Sequence, residues 1–206
     1  MSRAALTRGG AWAGFALLAL LAPALVTGAG REPAIDWDPS RALAEPWRLW
    51  SAAWVHLNTR HLAVNALGAV LVAALGVAAR LPWRACAAWA AAWPLTHAAL
   101  WLQPGLASYG GLSGVLHAGV AVAAVWLLRA TTRRARAIGA ALLCGLALKV
   151  VLEAPWRATL PFSDALGIAT VPLAHAAGAV AGTLSAWLWS CGTPAHRDPP
   201  AASSSS

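Results

Sequence analysis

Apolar residues in this chain come in long blocks. Six stretches, about 11–29, 61–79, 83–102, 113–128, 137–152 and 170–190, carry few polar side chains. A membrane-crossing helix needs about 20 mostly apolar residues, so four of these stretches are long enough and the fourth and fifth are short. No internal repeat of 20–50 residues is visible. After residue 191 the apolar character is lost and proline and serine take over (GTPAHRDPPAASSSS), which predicts a disordered tail over 192–206. The pattern predicts an all-α polytopic membrane protein, with one six-helix membrane domain over residues 1–191.

Composition agrees with that class. The 206 residues are 59% hydrophobic and 11% charged, with mean hydropathy +0.61, outside the range of soluble domains. Of the thirteen tryptophans, Trp12, Trp54, Trp83, Trp101, Trp187 and Trp189 lie near the ends of apolar stretches, as interfacial anchors do. The net charge of +8 is dispersed over short loops, which argues against nucleic acid as a partner and for the lipid bilayer. Cys86, Cys144 and Cys191 have neither the spacing of a metal site nor that of a disulfide framework. No cofactor is implied.

Orientation follows from the basic residues. With the N-terminus in the cytoplasm and six spans, the inner segments hold Arg3, Arg8, Arg80, Arg84, Arg129, Arg133, Arg134, Arg136 and Arg197 against Asp198 alone. The outer segments balance six basic residues with six acidic ones. Both termini are then cytoplasmic. The first stretch also has features of a signal peptide, with Arg3 and Arg8 ahead of it and small residues over 26–29. Its length favours a retained helix. The outer segment 30–60, with Trp47, Trp50 and Trp54, predicts an amphipathic segment lying in the interface.

Polar groups inside a bilayer are costly and face a bundle interior or a wet cavity. At 1.5 Å per helical residue, Ser113 lies about 24 Å from Arg129, and Asn65 about 22 Å from Arg80. His175 lies about 24 Å from Cys191 on the same rise, and His61 is one turn further out than Asn65. A hydroxyl, an imidazole and an amide therefore share one level below the outer surface. On the sixth helix His175, Gly178 and Gly182 form one face, where small residues admit another backbone. Ser113, His117, Ala121 and Ala124 form the face expected to meet it.

A serine hydroxyl becomes a nucleophile when a base takes its proton, and its tetrahedral intermediate needs donors for the oxyanion. Ser113 opens a helix behind the Gly-rich stretch LASYGGL, with Gly111 and Gly114 flanking the turn. His61, the Asn65 amide and the Ser113 N–H are candidate donors. No carboxylate is expected at this level, so a Ser–His dyad is predicted rather than a triad. His175 can approach across helices. His117, one turn along from Ser113 on the same helix, is the other candidate base, less favourably directed. His97 and His56 read as hydrogen-bonded structural histidines. Lys149 and Glu153 read as a snorkelling i,i+4 pair, or as a recognition point for a polar substrate segment.

Taken together, these motifs resemble the rhomboid family of intramembrane serine proteases. The matching elements are Trp47-Arg48, the H-x4-H-x3-N pattern of His56, His61 and Asn65, the G-x-S-G of Gly111 to Gly114, and Ala174-His175 followed by Gly178 and Gly182. The resemblance implies a six-transmembrane-helix rhomboid-like bundle, with Ser113 as nucleophile, His175 as general base, and His61 and Asn65 as oxyanion donors. It implies an endopeptidase cutting a membrane-anchored protein near the outer end of its helix. Rhomboids commonly carry tyrosine where this chain has His117. The run Ser-Gly-Val-Leu-His is similar to the rhombosortase branch, which implies C-terminal Gly-Gly sorting tails as substrates and the bacterial inner membrane as location. A non-catalytic rhomboid-like client-binding protein is the alternative, although both Ser113 and His175 are present. A small transporter or channel would need polar groups across the whole thickness, and here they stop at one level.

The charge pattern predicts that reporter fusions after residues 135 and 192 both report cytoplasm; a periplasmic signal at either would refute six spans with both ends inside.

Overall fold

The computed structural model describes residues 9–158 and 160–191; the predicted tail over 192–206 lies outside the described residues. Long helices form over each of the six apolar stretches. They are α1 (Gly10–Thr27), α3 (Thr59–Ala78), α4 (Trp83–Ala98), α5 (Ser113–Leu128), α6 (Arg133–Leu152) and α7 (Pro172–Ser190). A short α2 (Arg48–Ser51) lies in the first loop, and a two-stranded hairpin, β1 (Phe162–Ser163) with β2 (Ile168–Ala169), lies between α6 and α7. Among the described residues α1, α3 and α6 are long and apolar enough to cross a membrane, and α5 is a shorter apolar helix. The whole is a helical membrane bundle.

The fifth stretch is longer than its apolar run suggested. Thr132 caps it by accepting a hydrogen bond from the Ala135 N–H at 3.3 Å, so the basic segment Arg133 to Arg136 is helical too. Arginine is a good helix former, and an arginine-rich first turn can be helical without being apolar.

The middle of α1 is over-wide. Phe15–Leu21 forms a π-helical turn just before Pro23. Proline has no N–H to give the carbonyl four residues back and its ring crowds that carbonyl. The carbonyl concerned, Ala19 O, receives the Trp54 Nε1–H instead, at 3.0 Å. Trp12 is fully buried and donates to Val72 O on α3 at 2.8 Å. Its ring fills the space left by Gly76, where a Cβ would overlap it. Trp12 and Trp54 are therefore interhelical donors and not interfacial anchors; Trp83, Trp187 and Trp189 remain exposed, as anchors require.

The outer loop corrects a second expectation. In place of an amphipathic segment lying flat, it is a set of turns with only α2 and one 3₁₀ turn, Ala52–Trp54, as helix. Arg48 organises it from a fully buried position. Its guanidinium donates to Pro33 O at 3.0 Å, to Asp36 O at 2.6 Å, to the Asp36 carboxylate at 3.1 Å and to the Glu45 carboxylate at 2.6 Å. Hydrogen bonds from Arg41 and then Arg48 hold the Glu45 carboxyl below its usual range. Trp37 pairs with Tyr109 through two backbone hydrogen bonds, 2.8 and 2.9 Å. The loop is thus tied to the segment that precedes α5. The buried histidines are satisfied as expected on one side: His97 donates to Leu49 O at 2.7 Å and His56 to Trp54 O at 3.1 Å.

At the centre stands α5, buried along most of its length. Glycine lets its neighbours come close. A Cβ at Gly178 would land on the Gly114 carbonyl, and one at Gly182 on the Ala118 carbonyl. The line that α5 offers to α7 is therefore Gly114 and Ala118. Ser113 and His117 flank this line, and the face predicted from Ser113 through Ala124 is rotated from the contact by one residue. Ala124 instead meets α6, where a Cβ at Gly139 would lie 2.7 Å from its carbonyl.

Gly178→Leu must push α5 and α7 apart, since the atom in the way is backbone. It is expected to lower the thermal unfolding midpoint sharply and to reduce the monodisperse fraction in gel filtration. Gly14→Ala, where a Cβ meets nothing within 4 Å, should leave both unchanged.

Candidate active site

Ser113 is the first residue of α5. It follows a segment whose backbone is held by neighbours: Gly111 N–H donates to Ala52 O at 2.9 Å, and the Tyr109 hydroxyl donates to Gly111 O at 3.2 Å. Gly111 has φ +152°, and a Cβ there would lie 3.0–3.1 Å from the His61 ring. Both the backbone angle and the close ring favour glycine at this point. The segment therefore reaches Ser113 passing directly against His61.

His175 lies in the first turn of α7, which starts at Pro172, a position where proline's missing N–H is harmless. The contact of Gly114 with Ala174 and Gly178 brings the imidazole to the serine. The Ser113 hydroxyl donates to His175 Nε2 at 2.8 Å. The cross-helix pairing expected from depth is thus formed.

His117 does something else. Its Nδ1–H donates to the Ser113 backbone carbonyl at 2.7 Å, and its ring stacks on His175 with centroids 4.3 Å apart and planes 11° from parallel. It does not bond the hydroxyl. It fills the place of an aromatic ring packed on the imidazole.

His61 and Asn65 lie on α3, whose N-terminus is fixed by the Asn58 side chain accepting the His61 N–H at 2.9 Å. Asn65 Nδ2 donates to His61 O at 3.1 Å, which leaves its second N–H available. His61 Nδ1 is buried without a protein partner. Both side chains line the same cavity as Ser113, His117 and His175, a space of about 660 Å³. All the predicted site residues are brought together.

One residue makes a contact that the sequence did not suggest. Glu153 follows the last turn of α6, and its Oε2 accepts the His175 Nδ1–H at 2.7 Å. The expectation that no carboxylate reaches the imidazole, and hence of a two-residue dyad, is corrected. Glu153 does form the expected i,i+4 pair, Lys149 Nζ to Oε1 at 2.6 Å, but that pair uses only one of its oxygens. The signal in the sequence was a charged pair closing an otherwise apolar helix. What it did not disclose was that α6 ends beside the start of α7.

A second opening, about 470 Å³, runs between α3 and α6 down to Ser113. Its walls are apolar, including Val64 and Leu71 on α3 and Leu142 and Leu146 on α6. The site is reached from two sides: a cavity beside the β1–β2 hairpin, lined by charged and apolar residues together, and an apolar crevice between helices.

A hydroxyl bonded to an imidazole, a carboxylate on the far ring nitrogen and side-chain amide and imidazole groups facing the same space can perform acyl transfer. Comparison with known proteins agrees with that chemistry at the level of family. The chain matches the Rhomboid domain family over residues 43–191, from the outer loop to the end of α7. No curated protein and no solved structure matched it. Since the match covers well over half of the 206 residues, the chain belongs to the rhomboid family, whose members are generally serine intramembrane proteases and in some cases inactive.

Proposed function

We propose that this rhomboid is an active intramembrane serine endopeptidase that cuts a membrane-anchored protein near the outer end of its transmembrane helix. The 2.8 Å hydrogen bond from Ser113 Oγ to His175 Nε2 carries this reading. In the cycle, Ser113 Oγ attacks the scissile carbonyl carbon while its proton passes to His175 Nε2. The oxyanion that forms is received by His61, the free Asn65 amide N–H and the Ser113 backbone N–H at the start of α5. His175 then gives its proton to the leaving amine as the C–N bond breaks. Water repeats the sequence on the acyl-enzyme, with His175 again taking and returning the proton.

The two openings suit such a substrate. The apolar crevice matches a lipid-embedded helix, and the cavity that carries Arg31, Asp36, Lys149, Glu153 and Arg157 admits water for hydrolysis. A peptide bond can reach Ser113 only in extended form, because a helix encloses its own carbonyls. Small or helix-breaking residues at the cut site follow. C-terminal Gly-Gly sorting tails, the rhombosortase type of substrate, fit this requirement, and the run Ser-Gly-Val-Leu-His ending at His117 supports that branch. The same reading takes α1, α3, α4, α5, α6 and α7 as six spans with both termini cytoplasmic in a bacterial inner membrane. The bonded Ser–His pair disfavours a client-binding protein without activity.

A serine-directed fluorophosphonate should label the wild type, and Ser113→Ala and His175→Ala should each abolish labelling while the proteins still insert and fold. The double variant should match either single one, as residues acting together lose activity non-additively. Asn65→Ala should slow turnover by about 10²–10³, the usual worth of one oxyanion donor. His117→Phe and His117→Tyr should keep measurable activity. If His175→Ala labels and His117→Phe does not, the base is His117.

Replacing the small residues at a substrate's cut site with leucine should block cleavage. Full cleavage of the leucine version would count against attack on an extended segment.

A further inference from the structure

We infer that Glu153 is a positioning residue of the catalytic machinery, holding the Nδ1 proton of His175 so that the site operates as Ser–His–Glu with Lys149 clamping the acid. The inference rests on the serine-protease reading above.

An imidazole has one donor and one acceptor nitrogen when neutral. To accept the Ser113 proton at Nε2, His175 must carry its own proton on Nδ1. An acceptor at Nδ1 selects that tautomer and fixes the ring's rotation. Glu153 Oε2 stands there at 2.7 Å. When the proton of Ser113 reaches Nε2, the ring becomes an imidazolium with a carboxylate against it. When the leaving amine takes that proton, the ring returns to neutral. Glu153 remains ionised throughout and its charge is largest in effect when the imidazolium forms.

The chain places this carboxylate by several independent means. Its backbone N–H closes the last turn of α6 onto Lys149 O at 3.1 Å. The next residue, Ala154, has φ +50°, a left-handed angle that side chains disfavour, and Pro155 follows it. The helix therefore stops at Glu153. Lys149 Nζ then takes Oε1 at 2.6 Å, leaving Oε2 aimed at α7. Lys149 Nζ lies 3.5 Å from His175 Nδ1, close enough to act on its charge. An exposed i,i+4 pair by itself is worth little. This pair is different because its second oxygen is committed to an imidazole that is only 15% exposed.

Titratable groups from several elements surround the imidazole. Lys149 and Glu153 come from α6, His117 from α5 stacked on the ring, and His61 from α3. Arg31 and Asp36 of the outer loop, Tyr109 ahead of α5 and Arg157 of the α6–α7 connection line the same cavity. A change in pH response must be read against all of these, so the test compares two neighbouring substitutions of opposite sign.

The experiment measures the rate of fluorophosphonate labelling of the full chain in detergent and in liposomes, from mildly acidic to mildly alkaline pH. Glu153→Gln should slow labelling by about 10²- to 10⁴-fold, since loss of the orienting acid in a serine-protease triad can cost about 10⁴. It should also move the acid limb to lower pH, because the imidazolium loses its counter-charge. Glu153→Asp should recover part of the rate. Lys149→Met should slow labelling only modestly and move the acid limb to higher pH, because a cation near the imidazolium is gone. A merely structural ion pair would be lost equally in Glu153→Gln and Lys149→Met, with no opposite movement of the limb. Should Glu153→Gln fail to insert, Glu153→Asp and Lys149→Met still give the rate order and the direction of the limb. Labelling of Glu153→Gln at the wild-type rate, or limbs moving the same way in both variants, overturns the inference alone. A wild type that does not label overturns the protease reading, and this inference with it.

Discussion

The molecule depends on how closely α5 and α7 approach. In lipid there is no hydrophobic gain from pairing one apolar helix with another, so association relies on packing and on hydrogen bonds between helices. Here the packing is backbone on backbone. Gly114 and Ala118 face Gly178 and Gly182, with the Ala174 carbonyl against Gly114. Ser113 precedes Gly114 and His175 follows Ala174. The residues that permit the contact are thus neighbours in sequence to the residues that would do the chemistry. A bulkier pair of helices would carry the same serine and histidine too far apart to bond.

Around that contact the bundle finds partners for groups that lipid cannot satisfy. The indole N–H of Trp12 goes to Val72 O, that of Trp54 to Ala19 O and that of Trp89 to Val115 O. Each closes a gap left by a neighbour: Gly76 beside Trp12, Pro23 beyond Ala19, and Gly119 beneath Trp89. Large rings with one donor serve well here, filling volume and hydrogen-bonding a carbonyl at once. Arg48 plays the corresponding part in the outer loop, where a buried charge is tolerable only because carboxylates and carbonyls surround it. Through the pairing of Trp37 with Tyr109 and of Ala52 with Gly111, that loop holds the segment leading into Ser113.

The side of the site away from this rigid centre is built differently. Along α6 only Gly139 and Leu146 are buried, and this helix borders the apolar crevice to Ser113 and ends at Glu153. The serine and the histidine are set by the tight α5–α7 contact. The carboxylate comes from the helix that is least enclosed.

The order of apolar stretches determined the helices, because the thickness of a bilayer sets how long an apolar run must be. The rise of a helix determined depth, which is why Ser113, Asn65 and His175 could be placed at one level from counting alone. Glycine and alanine spacing on the sixth stretch showed that α7 would meet another backbone. What counting along one helix cannot give is rotation about its axis relative to the next. The contact face of α5 proved to be Gly114 and Ala118, one residue round from the face expected. The same limit hid Glu153: its pairing with Lys149 is local and legible, while its bond to His175 depends on where α6 ends beside α7. Trp54 was read as an anchor because the bend that frees Ala19 O lies in another helix. Tertiary packing decided these points, since hydrogen bonds between helices are fixed by their tilt and rotation together.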